Sequence, residues 1–374
     1  MDTPRVSPIG SIHDACIRSA HRACCRGMYC LRHPPSDRAV QSMVLLMMKA
    51  FQFNRFGSAA EVLQRVALDV PEPGWGEVLV RLHATGVNPS DVKKRAGAFP
   101  DLLDAGAVIP HSDGAGEVVA VGPGVPPERV GDRVFVYQAQ YARQHGTAAE
   151  YVAIDSTRAP TLPDNTSFEV GACIGIPILT AHRCVFADGP VTNQWVLVTG
   201  GAGRVGHYAI QWASQAGARV IATASNDLDA SACRQAGAAA VVNHREVDWW
   251  QQVLDATGDQ KIDRVVEVEF GANLPELLQC VRTGATIATY SSTVVPEPTL
   301  PFRTMMFMDL TVRMVIVYAM PEEAKVEAVA ATQQKLAEDA LQHRVTERLP
   351  FDEMARAHEL IEQGRVRGCV VVSI

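Results

Sequence analysis

The chain has 374 residues, 47% hydrophobic and 20% charged, an ordinary globular composition that excludes a collagen, a disulfide knot and a wholly disordered chain. A net charge of -7 offers no broad cationic field to nucleic acid or anionic lipid, and apolar runs such as Met43 to Met48 fall far short of the roughly 18 residues that span a bilayer. The nine cysteines, odd in number and unevenly spaced, suit a reducing cytosol better than a disulfide framework.

Residues 1–42 carry Arg5, Arg18, Arg22, Arg26, Arg32 and Arg38 against only Asp2, Asp14 and Asp37, with no sustained apolar period. They are set apart from the fold. An Arg-rich, acid-poor leader is either an organellar transit peptide or the result of a start read upstream of Met43, Met47 or Met48. The adjacent Cys24 and Cys25 do not have zinc-ligand spacing.

From Met48 onward KAFQF, EVLQRVALDV, GEVLVRLHATGVN, GEVVAVGPGV, DRVFVYQ and AEYVAI read as short strands broken by Gly, Pro and Asn, the pattern of an all-β module. After Pro163 apolar strands alternate with helical periods. WVLVTG is followed by a helix with Ala209, Ile210, Ala213 and Gly217 on one face. Then come the strand RVIATAS, a helix near Asp229 to Gln235, the strand AAVVN, a helix around Trp249 to Ala256, the strand RVVEV, a helix around Pro275 to Val281 and the strand ATIATYS. This alternation means βαβ units and a doubly wound parallel sheet. Beyond Leu310 the reading is a strand near Met314 to Tyr318, helices over Glu322 to Ala337 and near Met354 to Gln363, and the final strand CVVVSI. That tail is expected to pack back on the β-rich first part.

The sharpest motif is Gly201-x-Gly203-x-x-Gly206, placed directly between a strand and an amphipathic helix. Gly201 permits a tight turn, Gly203 lets backbone approach a pyrophosphate, and Gly206 lets the helix lie close to the sheet. The helix N-terminus then presents free N–H groups to the phosphates. The next strand ends Thr223, Ala224, Ser225, Asn226, with Asp227 only afterwards. A hydroxyl and an amide accommodate an adenosine 2′-phosphate that a carboxylate would repel, so NADP(H) is favoured over NAD(H).

In their order, GVNPSDVKKRAG, PHSDGAGEVVAVG, GDRVF, AEY, GACIGIPILTAHR, VLVTGGAGRVG, VVNHREVDW and AHELIEQG resemble the medium-chain dehydrogenase/reductase superfamily, and within it the zeta-crystallin-like quinone oxidoreductases. The resemblance runs from about Met48 to the C-terminus. It implies an α/β architecture: a GroES-like β-rich catalytic domain over residues 43–168 and 310–374, and a Rossmann dinucleotide-binding domain over 169–309. The phosphate loop then falls on Ala202, Gly203, Arg204 and Val205, and the 2′-phosphate pocket on Ser225 and His244. Asn273, Tyr290, Ser291, Ser292 and Thr293 fall on the nicotinamide side, which Val315, Ile316 and Val317 approach, and Arg367 stands near the cofactor.

Zinc-dependent members of the superfamily carry a cysteine just before the first helix of the β-rich domain and a lobe of four cysteines. Here Asn88 takes the first position, and no cysteine occurs between Cys30 and Cys173. No metal is expected, and His111 is read as a cleft or turn residue. Lys93 stands where the family commonly has a tyrosine; it either donates to a quinone oxygen or points to solvent. Asn88 is the better placed hydrogen-bonding group, with Asp91 orienting its neighbours, and both also suit a plain turn. The catalytic candidates are therefore Asn88, Lys93 and Tyr290.

The resemblance implies an NADPH-dependent, zinc-independent quinone reductase that acts by close stacking of the acceptor on the dihydronicotinamide. Two alternatives stand beside it. One is reduction of an activated alkene in an enal, enone or enoyl thioester, with Lys93 or Tyr290 as donor to the enolate oxygen. The other is an NADP-binding structural or RNA-associated protein, against which the acidic total argues for the RNA part. A small-molecule substrate, a cytoplasmic location, no membrane partner and a homo-oligomer complete the expectations.

Overall fold

The computed structural model of the protein describes residues 46–364 and 366–374. The expectations for residues 1–42 lie outside the described residues.

The β-rich part begins with a two-stranded antiparallel sheet of β1 (Met47–Gln52) and β2 (Gln64–Asp69). The segment EVL that opens the second expected strand lies instead in the short helix Ala59–Val62 and just after it, where Ala59 and Val62 are buried and the following strand alternates. A six-stranded sheet contains β3 (Glu77–Val87), β4 (Asp113–Val121), β5 (Arg133–Val136), β6 (Tyr151–Asp155) and two strands from the chain's end. β3 is its central strand, pairing antiparallel with β4 and with β6. Inward side chains such as Val78, Val80, Leu82, Val134 and Ile154 close a core on one side.

The second sheet is six-stranded and parallel: β7 (Trp195–Val198), β8 (Arg219–Ala224), β9 (Ala240–Asn243), β10 (Ile262–Glu267), β11 (Val281–Thr289) and β12 (Thr311–Met314). Its spatial order is β12-β11-β10-β7-β8-β9. Strands such as Val196–Leu197–Val198 are buried outright because helices cover both faces. The helix Arg204–Gln215 buries Ala209, Ile210 and Ala213 as its period requires, and it packs on the preceding helix Gly175–Phe186. From β7 the chain passes to β8 and β9 on one side and then crosses to β10 on the other. The C-terminal ends of β7 and β10 therefore flank the crevice where open parallel sheets bind ligands.

Three elements differ from the sequence reading. The strand placed near Met314 to Tyr318 runs over Thr311–Met314 and pairs parallel with β11, extending the dinucleotide-type sheet past residue 309; the apolar residues after Met314 fold into a 3-10 turn at Val317–Ala319. The helix expected from Pro275 spans Phe270–Cys280, so Pro275 sits inside it although proline favours helix starts. An unexpected strand β13 (Val345–Pro350) pairs parallel with β14 (Cys369–Ser373), which in turn pairs with β3. The tail thus divides. β12 serves the parallel sheet, helix Glu322–Ala337 packs on Gly175–Phe186, and β13, β14 and helix Met354–Glu362 complete the β-rich part.

Candidate functional site

After β7 the chain turns through Gly200–Gly203 into helix Arg204–Gln215. Two hydrogen bonds lash that turn to the end of β8: Gly201 N–H donates to the Thr223 carbonyl (3.0 Å) and Gly200 N–H to Thr223 Oγ1 (2.9 Å). A Cβ on Gly206 would stand 2.4 Å from the Gly200 carbonyl oxygen, and one on Gly201 2.8 Å from the Ala222 Cβ, so both positions exclude any larger residue. Among the described residues the only neighbour of a Cβ at Gly203 would be the Gly200 oxygen at 3.1 Å, which leaves its outer face open to an incoming group. Arg204 opens the helix, and its buried Nε has no hydrogen-bond partner among the described residues. Free N–H groups and a positive helix end suit an anion such as a pyrophosphate, with the Arg204 guanidinium close behind them. Arg344 braces the loop by donating to the Ala202 carbonyl (2.8 Å) while pairing with Asp229 (3.3 Å).

This loop opens onto a cleft of about 440 Å³. Gly200, Gly203, Arg204 and Val205 form one side with Val268, Tyr290 and Ser291; Val315, Ile316, Val317 and Tyr318 form a second wall; Asn88, Ser90 and Lys93 face them from helix Pro89–Arg95 and its cap. Apolar lining with a few convergent polar groups is the usual character of a small-molecule site. The sequence Asn-Pro-Ser-Asp builds the facing helix end: Pro89 opens the helix, and Asp91 closes a capping box by accepting the Asn88 N–H (2.8 Å). The Asn88 amide donates to Asp113 Oδ2 (2.8 Å), which also accepts the Ile176 N–H (2.9 Å).

Burial dominates the electrostatics. It raises the Asp91 carboxyl to about 6, against the opposing pull of Lys94, and pushes Asp113 well above the carboxylate range. Lys94, not Lys93, is the buried lysine; burial lowers its pKa, its Nζ donates to the Gln140 carbonyl (2.7 Å), and it lies 4.8 Å from the centre of the Tyr318 ring. Tyr318 Oη stands 3.1 Å from Ser112 Oγ and 3.4 Å from both Ser90 Oγ and Lys94 Nζ. Burial keeps that phenol protonated by raising its pKa. At the end of β10, Glu267 is buried and its carboxyl is raised to about 7.

Besides Gly201, Ala202 and Gly206, which build the turn itself, the sequence-named residues fall into three groups. Asn88, Lys93, Gly203, Arg204, Val205, Tyr290, Ser291, Val315, Ile316 and Val317 line the cleft, with Lys93 exposed at its rim. Ser225, His244 and Arg367 gather beyond the end of β8: His244 sits beside the Ala224 carbonyl and feels the charges of Arg245 and Arg367. Asn273, Ser292 and Thr293 are tied to neighbours instead. Asn273 Nδ2 donates to Glu267 Oε1 (2.8 Å), Ser292 Oγ accepts from the Gly271 N–H (2.9 Å), and the Thr293 N–H donates to Glu269 Oε1 (2.8 Å). Asp227 lies exposed in the first turn of helix Asp227–Gln235, past the strand end.

His111 does not line the cleft. It occupies a left-handed backbone position (φ 78°), fully buried, with Nδ1 2.9 Å from Thr85 Oγ1 and Nε2 2.9 Å from His358 Nε2. Sequence reading missed Lys94, Ser112, Tyr318 and Arg344. Tyr318 lies within the apolar run VIVYAM, whose first residues read as a strand and so hide the turn that carries the phenol to the cleft.

Comparison with known proteins matches residues 74–164 to the alcohol dehydrogenase GroES-like domain and residues 205–333 to the zinc-binding dehydrogenase family. The chain is similar to the quinone oxidoreductase of Homo sapiens, at 30% identity over 85% of this chain and 95% of that protein. Among solved structures, a mycobacterial protein complexed with NADPH is 29% identical, with a TM-score of 0.76 over 87% of this chain and 100% of that one. An NAD-dependent alcohol dehydrogenase is 30% identical, with a TM-score of 0.77 over 87% and 99%.

The second family description implies zinc, and the residues here do not fit it. The amide of Asn88 is engaged with Asp113, both ring nitrogens of His111 are engaged, and among the described residues no three His, Cys, Asp or Glu side chains gather as a ligand set.

Proposed function

Because the chain belongs to the quinone oxidoreductases of the medium-chain dehydrogenase/reductase superfamily, we propose that it is an NADPH-dependent quinone reductase whose chemistry needs no zinc. The observation that carries this reading is the opening of the glycine loop onto the same cleft that Tyr290, Val315 and Val317 line. The bound cofactor supplies a hydride from its dihydronicotinamide ring.

The protein's own contribution is binding, orientation and exclusion of water. Gly203, the helix end and Arg204 hold the pyrophosphate. Ser225, His244 and Arg367 receive the 2′-phosphate, a choice supported by the hydroxyl, rather than carboxylate, that follows β8 and by the charges of Arg245 and Arg367 at His244, although Arg367 also pairs with Asp229 (3.9 Å). The walls at Val315, Val317 and Tyr290 seat the ring against a flat acceptor, and Asn88 keeps helix Pro89–Arg95 in place opposite it.

The exposed edge of β12 and the apolar side chains beside it support a homo-oligomer. Among the described residues the cysteines are all free, which supports a reducing, cytoplasmic setting. No helix among them is long and apolar enough to cross a membrane. Steady-state oxidation of NADPH against ortho-quinones, para-quinones, enals and a no-acceptor control tests the reading. Rapid turnover with enals and none with quinones would replace the substrate class.

A further inference from the structure

The second wall of the cleft ends in a group that hydride transfer alone does not use. Tyr318 follows Val317 in the turn Val317–Ala319, and that turn is held in place by Gln138, whose Nε2 donates to the Val317 carbonyl (2.8 Å). Its ring stacks on Tyr141 with centroids 4.7 Å apart and planes at 13°, so the phenol has little freedom to swing away. Its oxygen is surrounded by two hydroxyls, Ser112 and Ser90, and by the Lys94 ammonium. Ser90 and Tyr318 both line the cleft, whereas Ser112 is buried behind them.

We propose that Tyr318 is the proton donor to the oxygen of the reduced acceptor, with Lys94 stabilising the phenolate and Ser90 returning a proton from cleft water. The proposal rests on the reductase reading above. An acceptor carbonyl conjugated to the carbon that receives hydride, as in a quinone or an enone, gains two electrons and becomes an oxyanion. The O–H bond of Tyr318 breaks as a new O–H bond forms on that oxygen, and the phenolate recovers its proton through the Ser90 hydroxyl. The net reaction consumes one dihydronicotinamide and one solvent proton per acceptor. The surroundings suit each stage: burial keeps the phenol protonated beforehand, and the ammonium 3.4 Å away opposes the phenolate charge afterwards. Lys94 thereby acts as a positioning and charge-balancing residue, and the exposed Lys93 is not needed.

The test compares wild type with Tyr318→Phe, which keeps the ring stacked on Tyr141. Single-turnover hydride transfer to a quinone and to an enone is followed in H2O and D2O, and the affinity of the NADP-loaded protein for 4-nitrophenolate, a stable anionic-oxygen probe, is measured by its absorbance shift. Loss of the donor is expected to slow enone turnover by about 100-fold and to abolish the solvent isotope effect. It should also weaken nitrophenolate binding by about 10-fold, with NADPH affinity unchanged. If Tyr318→Phe melts early, Lys94→Met takes its place: the phenol and therefore the isotope effect remain, while enone turnover slows and nitrophenolate binding weakens by about 10-fold each. Unchanged probe affinity and an unchanged isotope effect in Tyr318→Phe, or unchanged probe affinity and enone turnover in Lys94→Met, overturn the donor while leaving the reductase reading intact. A wild-type protein that reduces neither acceptor defeats the reductase reading itself.

Discussion

Asn88 Nδ2 donates to Asp113 Oδ2 at 2.8 Å, joining the cap of helix Pro89–Arg95 to the first residue of β4 beneath the cleft. Both side chains are buried, and among the described residues Asp113 has one other donor, the Ile176 N–H, with Oδ1 left unpartnered. Removing the amide leaves a buried carboxyl short of a partner, the costly side of hydrogen-bond energetics. Asn88→Ala is therefore expected to lose about 1 to 3 kcal/mol of unfolding free energy in urea titration. Equal midpoints for the two proteins would show that the contact carries no stability.

Cofactor preference turns on the end of β8. Ser225→Asp would place a carboxylate at the proposed 2′-phosphate position, and Arg367→Ala would remove a positive charge proposed to act there. A charge-assisted contact is worth about 1.5 to 3 kcal/mol, so each change should lower NADPH affinity relative to NADH by roughly 10-fold or more. Fluorescence titration with both cofactors checks this. Equal binding of the two by the parent protein would contradict the assignment.

Much of this was legible from residue order, and the exceptions have physical causes. Strand–glycine loop–helix context located the tight turn and the helix start after β7, because only glycine fits at Gly201 and Gly206. The alternation of buried strands with amphipathic helices placed the parallel sheet. Lys93 and Lys94 could not be told apart by type: which of two adjacent helical residues turns inward depends on the helix phase, set here by the Asn88 cap. Tyr318 was hidden because β-branched residues before it mimic a strand, while tertiary contacts from Gln138 make a turn. His111 and His358 are 247 positions apart, a distance at which no local pattern pairs them.

That histidine pair predicts a pH dependence of stability. Burial lowers His111 to about 3 and His358 well below its ordinary value, so both are neutral in the folded state. The unfolded chain takes up protons first as pH falls through about 6.5, and stability drops progressively toward about 3. Asp91 works the other way: its folded pKa is raised to about 6, so it adds stability as pH falls from there toward its ordinary value. His358→Gln keeps a hydrogen-bonding group toward His111 and removes one titrating ring. The slope between about pH 6 and pH 4 should flatten by up to about 1.4 kcal/mol per pH unit relative to wild type. A parallel pair of stability curves would mean that His358 is protonated as easily in the folded protein as in the unfolded chain.

Lys93 separates two readings of the rim. It is exposed and, unlike Lys94, makes no side-chain hydrogen bond or ion pair among the described residues. Lys93→Ala should therefore leave turnover and apparent affinity for a quinone within about twofold of wild type, as surface changes away from special contacts do. A turnover number reduced by about 10-fold or more would move the donor role from Tyr318 to Lys93.

The edge of the parallel sheet predicts the assembly. Among the described residues β12 pairs on one side only, with β11, which leaves its other backbone edge to pair with another strand. Beside it Phe302 (71% exposed), Phe307 (74%) and Met314 (73%) present apolar surface that a monomer would leave in water. A two-fold axis through this edge would pair the strand with its own copy and cover the side chains from both partners, because an isologous contact uses the same patch twice. Light scattering of the purified protein should give twice the chain mass. Phe302→Glu with Phe307→Glu would bring like charges together across the axis and should return the mass to that of a monomer. Since neither side chain lines the cleft, NADPH affinity should survive the change. A wild-type protein that scatters as a monomer at micromolar concentration would leave this apolar edge without the partner assigned to it.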